Sequence, residues 1–185
     1  MRKNQLHFFI VVFLIFFSTC ARSNGDIQDE TYPGWARHYI RNYNLIPFSI
    51  QLPESYEIRI RPEMPISHHM WSTNEIFYNN RQIGGVFTGT FQPDYVLLSV
   101  DESKWGFIPL SIFDSAYQIS LFENTEHVPI SQPGFFTTDR FLFEACITKH
   151  SESVGSVYFH IWGITNDEEE KSNLLKAFST IKRLE

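Results

Sequence analysis

The sequence carries none of the short motifs that mark the common enzyme chemistries. It has no Gly-x-Ser-x-Gly elbow, no His-Glu-x-x-His, no phosphate-binding Gly-Lys-Ser/Thr loop and no Cys-x-x-Cys. Serine hydrolases, zinc proteases, nucleotide enzymes and thiol oxidoreductases therefore lose their usual sequence support, while an enzyme with a scattered site stays open. Cysteine is scarce, with Cys20 and Cys146 alone in 185 residues. Basic clusters are missing too. Arg2 and Lys3 are two of the 15 basic residues, so the rest of the chain carries 13 against 21 acidic ones. Nucleic acid is excluded as an expected partner, because phosphate contacts need grouped Lys and Arg. Electrostatic attachment to anionic lipid is not expected on the same ground.

What is present begins with an export signal. Met1-Arg2-Lys3 precedes an apolar run from Phe8 to Phe17, and Ser18-Thr19-Cys20-Ala21 follows. A positive start, a short apolar core and a small-residue exit are the three regions of a secretory signal. The run falls short of the about 20 apolar residues that span a bilayer, which argues against an uncleaved anchor helix. Two cleavage points compete. Phe17-Ser18-Thr19-Cys20 resembles a bacterial lipobox, which would make Cys20 the acylated N-terminus and the membrane, through that lipid, a partner. Thr19-Cys20-Ala21 offers ordinary cleavage before Arg22, which would leave a secreted chain. The lipoprotein reading is preferred, because a cysteine ending the apolar run is a specific coincidence. The expected organisation is a signal segment over 1–20, a tether over 21–44 with one short helix from Trp35 to Asn44, and a single domain over 45–185.

Within that domain, apolar and polar residues alternate through Phe48–Leu52 and Tyr56–Arg61, the period of half-buried strands. Glu75–Tyr78, Asn79-Asn80-Arg81 and Gln82–Phe91 read as a hairpin, with Asn-Asn supplying the turn. Gly84-Gly85 predicts a bulge or a close backbone approach. Arg140–Lys149 and Val154–Gly163 read as strands joined by a Ser/Gly-rich turn. The spacing of Ile112, Phe113, Ala116, Ile119 and Phe122 predicts a helix over Ser111–Phe122. A final helix follows a capping box at Thr165-Asn166-Asp167-Glu168 and carries an apolar stripe of Leu174, Leu175, Phe178 and Ile181. The expected fold class is α+β: a mostly antiparallel sheet flanked by helices, with an amphipathic helix at the C-terminal end.

Three patches resemble PsbP-like domains: Phe48-Ser49-Ile50-Gln51-Leu52-Pro53-Glu54-Ser55-Tyr56, Asn79-Asn80-Arg81-Gln82-Ile83-Gly84-Gly85, and Val157–Trp162 with the helix through Phe178–Lys182. The resemblance implies an antiparallel sheet with helices on its faces. It also implies an accessory or binding role more often than catalysis. It transfers no catalytic residue.

Candidate site residues are few. His68-His69-Met70-Trp71 in a Pro-containing loop combines imidazole and thioether, donors suited to copper or zinc. Adjacent residues on an extended chain point apart, however, and solvated loop residues are the plainer reading. Trp71, and Asp101 with Trp105 in Asp101-Glu102-Ser103-Lys104-Trp105-Gly106, are binding candidates, since Trp is favoured at hot spots. Asp114, Asp139 and Glu144 offer carboxylates for acid–base work, with no spacing that brings two together. Cys146 reads as a packed thiol, unless the fold brings His150 or His160 close enough to activate it. No cofactor is implied. The function expected is a non-enzymatic accessory or binding role in the cell envelope, with an envelope protein or a cell-wall component as partner. The alternatives are a metal or small-molecule binder using His68-His69, and an enzyme of unrecognised type.

Overall fold

Period-two alternation, rather than helical spacing, governs most of the chain. The computed structural model describes residues 31–41, 45–62, 71–93, 97, 100–132, 135–151 and 155–184. Among them are twelve strands and one α-helix: β1 (Trp35–Ile40), β2 (Phe48–Pro53), β3 (Tyr56–Pro62), β4 (Trp71–Tyr78), β5 (Arg81–Gly89), β6 (Gly106–Ile112), β7 (Ser115–Glu123), β8 (Ile130–Gln132), β9 (Phe135–Thr137), β10 (Phe141–Ser151), β11 (Gly155–Thr165), α1 (Glu168–Ser179) and β12 (Lys182–Arg183). Seven strands form one antiparallel sheet in the order β3-β4-β5-β11-β10-β7-β6. A three-stranded sheet has the order β1-β2-β12, and β8 pairs with β9.

One face of the large sheet carries the main core. Ile76, Val86, Ile119, Phe143, Phe159 and Ile161 point from it towards Phe48, Ile50 and Leu52 of β2 and Leu174 and Phe178 of α1. Phe159 lies edge-on to Phe48 at 5.3 Å and to Phe113 at 4.7 Å. The small sheet and the helix thus share one layer, and the large sheet forms the other. Leu142 and Ile164 alternate with the main-core residues and point to the opposite face, where Leu97 and Ile130 complete a second, smaller cluster. Among the described residues, what covers that face is the connecting chain around Leu97, Trp105 and Ile130, with no α-helix.

The helix-flanked α+β expectation is therefore corrected: this is an antiparallel β-rich, sandwich-like fold with one short helix among its described residues. Two predicted helices are strands. Trp35–Ile40 pairs with β2 throughout, from Trp35 opposite Pro53 to Ile40 opposite Phe48. Ser111–Phe122 is the turn and second arm of a hairpin in which Ile112 pairs with Ser115. Its two turn residues, Phe113 and Asp114, have φ of 52° and 57°, as a two-residue type I′ turn requires. The apparent helical spacing mixed residues from both sides of that turn. With Leu110, Ile112 and Ile119 buried and Pro109, Ser111 and Gln118 exposed, the same stretch obeys a strand's period.

Other expectations match the structure. Asn79 and Asn80 turn the β4–β5 hairpin with φ of 49° and 60°. The register shifts beside Gly84, where Ile76 faces Gly84 but Phe77 faces Gln82. A Cβ on Gly84 would lie 2.7 Å from the Trp162 carbonyl oxygen, and one on Gly85 2.8 Å from the Trp162 ring. The glycines therefore let β5 and β11 approach. The final helix is capped two residues later than the predicted Thr165: the Asp167 carboxylate accepts from the Glu169 and Glu170 amides at 2.7 and 3.0 Å.

The C-terminal residues close the structure. The Thr180 hydroxyl accepts the Gln51 amide at 2.8 Å, the Ile181 carbonyl accepts the Phe113 amide, and the Leu184 amide donates to Pro47. The signal segment, Cys20, the tether up to residue 30 and the His68-His69 pair lie outside the described residues.

Candidate functional site

The covered face of the large sheet holds both the chemistry and the concavity. Leu97 packs on this face, and close after it in sequence comes the turn at Asp101, whose carboxylate accepts the Ser103 amide at 2.9 Å. That hydrogen bond holds the Asp101 carboxyl below its ordinary value. On the far side, the segment after β7 is folded by Asn124, which is buried. Its side chain accepts the Val128 amide at 3.0 Å and donates to the Val128 carbonyl at 2.9 Å. Between these two loops lies a cleft of about 690 Å³, within the size range of small-ligand sites. Asp101, Glu123 and Glu126 give it carboxylates and Lys104 an ammonium, while Val128 and Ile130 give it apolar wall.

The sequence-predicted binding residues separate on this framework. Asp101 lines the cleft. Trp105 packs against the second cluster behind it, and its indole N–H is buried with no hydrogen-bond partner among the described residues. Trp71 lies elsewhere, stacked in an aromatic group with Phe87 and Phe91 at ring separations of 6.1 and 5.8 Å. The three candidate carboxylates do not converge. Asp114 is in the β6–β7 turn, Asp139 accepts the Thr137 hydroxyl before β10, and Glu144 is in the middle of β10. Among the described residues, no three His, Cys, Asp or Glu side chains are grouped to hold a metal ion.

Of the two histidines considered beside Cys146, the fold brings His160 opposite it, and it adds Glu144, which the sequence reading did not connect to the pair. Cys146 of β10 faces His160 of β11 directly across the antiparallel ladder, a relation that brings Cβ atoms to about 4.5–5.5 Å. His160 Nε2 is 2.9 Å from Glu144 Oε2, and Glu144 Oε1 accepts the Leu97 amide at 2.9 Å. His160 and Glu144 are 2% and 4% exposed, whereas Cys146 is half-buried. The signal for this pairing was available. In a hairpin whose turn centres on residue 153, partners sum to a constant, and 146 then meets 160 as 151 meets 155.

A second, smaller cavity of about 160 Å³ lies between Tyr56 and Tyr78 and the start of α1. Burial, reinforced by Glu170, Tyr78 and Glu169 and opposed by a hydrogen bond from Asn173, pushes the Tyr56 hydroxyl up to about 12.

The antiparallel β-rich class is thus defined by the chain's own geometry. No family model, curated protein or solved structure matches the chain.

Proposed function

We propose that this is an exported, lipid-anchored envelope protein with a binding role, which takes its ligand in the cleft between the Asp101–Lys104 turn and the Asn124–Ser131 segment. The cleft is the observation that carries the reading. Its walls suit an extended peptide with a cationic side chain: Asp101, Glu123 and Glu126 attract the charge, and Val128 and Ile130 receive the apolar neighbour. Glu123 is already paired with Arg140, so Asp101 and Glu126 are the carboxylates open to a ligand's charge. The anchoring half of the proposal rests on Cys20 at the end of the apolar run.

Both halves have direct tests. A photo-crosslinking residue at exposed Val128, in the full chain in its own host, is expected to give an adduct that the same residue at Ser111 does not. Asp101→Lys together with Glu126→Lys is expected to reduce it at least tenfold. Equal labelling from both positions, or no effect of the double variant, sinks the cleft. Fatty-acid labelling that Cys20→Ser abolishes supports the anchor, whereas a chain starting at Arg22 sinks it.

A further inference from the structure

We propose a second activity on the same face: Cys146 is a reactive thiol, activated by His160 and positioned by Glu144, that exchanges with small disulfides. Three observations point the same way. Cys146 and His160 are direct partners in the register of neighbouring strands, so their side chains leave the same face of the sheet. The imidazole is held by a buried carboxylate through Nε2, which places the ring proton on Nε2 and the basic lone pair on Nδ1. The carboxylate is itself fixed by the Leu97 amide, so it cannot follow a turning ring without breaking a second buried contact. Nucleophile, base and orienting group in this order form the general arrangement for activating a weak nucleophile.

Access follows from the ladder. β10 pairs with β7 over Phe141–Glu144, and the pairing stops there. Cys146 lies two residues beyond, on the flank that β7 has left, and is half-buried where its two partners are enclosed. Disulfide exchange needs only a thiolate and an approach to it, which this position provides.

The step balances without an outside oxidant beyond the disulfide itself. The Cys146 S–H proton passes to the His160 imidazole. The thiolate attacks one sulfur of R–S–S–R, a new S–S bond forms at Cys146, and the old S–S bond breaks. The departing thiolate takes the proton back from His160 and leaves as R–SH.

The test uses the full chain and 4,4′-dithiodipyridine, with adducts read at the Cys146 peptide by mass spectrometry so that Cys20 does not contribute. Native Cys146 is expected to react at pH 6.5 at least tenfold faster than N-acetylcysteine. It is expected to lose less than threefold in rate between pH 7.5 and 6.5, where an ordinary thiol loses about tenfold. His160→Asn is expected to restore the tenfold loss. Should that variant fail to fold, the wild type in guanidinium chloride serves instead, and its Cys146 is expected to fall back to the N-acetylcysteine rate. A native thiol that reacts no faster than N-acetylcysteine, or a folded His160→Asn chain with an unchanged profile, overturns the proposal. A native rate that guanidinium leaves unchanged overturns it as well.

Discussion

Replacing Glu144 with Ala tests whether the covered face is dry. The carboxylate is 4% exposed and holds the Leu97 amide and His160 Nε2, each at 2.9 Å. A buried donor left without its partner costs about 1–3 kcal/mol, so losing both gives about 2–6 kcal/mol. The middle of that range, about 4 kcal/mol, corresponds to a fall in Tm of about 8–16 °C for a domain of this size. Urea unfolding followed by tryptophan fluorescence reads the change, since Trp105 and Trp162 pack against the adjoining cluster. Glu144→Gln keeps the shape and an acceptor for Leu97, so it is expected to lose less than half as much. A double-mutant cycle with His160→Asn is expected to give a coupling above about 1 kcal/mol, as contacting residues do. A loss below about 1 kcal/mol for Glu144→Ala would refute the reasoning, because water would then be replacing the carboxylate.

Three further outcomes follow from particular residues. Tyr56 has its hydroxyl raised from 10.0 to about 12 by burial; the stability this favours is complete below pH 10 and is lost as pH rises through 12. Tyr56→Phe is therefore expected to flatten the fall in Tm between pH 9.5 and 11.5, and parallel falls would contradict it. Asp114 is exposed in the β6–β7 turn with φ of 57°, so Asp114→Gly is expected to stabilise by about 0.5–1 kcal/mol in denaturant titration. Gly163→Ala drives a methyl into the Phe143 ring, which packs on Phe178 at 6.2 Å. It is expected to destabilise by about 1–3 kcal/mol in the same titration.

Strands were legible wherever one face met the core and the other met polar surroundings. The β4–β5 hairpin and the β10–β11 pair emerged from alternation and turn residues alone. Ser111–Phe122 misled because Phe113, packed on Phe159, adopts a positive φ that its residue type does not advertise. Trp35–Ile40 misled because it borrows its stability from β2, a partner eight or more residues away in the chain, and local spacing carries no record of that. The cleft was half legible. Asp101 stood out as a loop candidate, but its opposite wall at Asn124–Ser131 is set by a side-chain-to-backbone clasp at Asn124, which composition does not announce. The Cys146–His160 pair needed the hairpin register, and Glu144 needed the Leu97 amide, a partner 47 residues away in sequence.

The ties made by Thr180–Leu184 have a consequence for how the chain is produced. β2 lies between β1 and β12, and the Phe113 amide, in the β6–β7 turn, donates to the Ile181 carbonyl. The core between the two layers thus stays open until those residues have been made. Such long-range closure is slow, and a nascent chain stalled before Thr180 holds Phe48 and Phe159 without a finished lid. Closure of the core therefore waits on the ties made by Thr180–Leu184. If the chain crosses a membrane, it does so as a thread, and it becomes a domain on the far side.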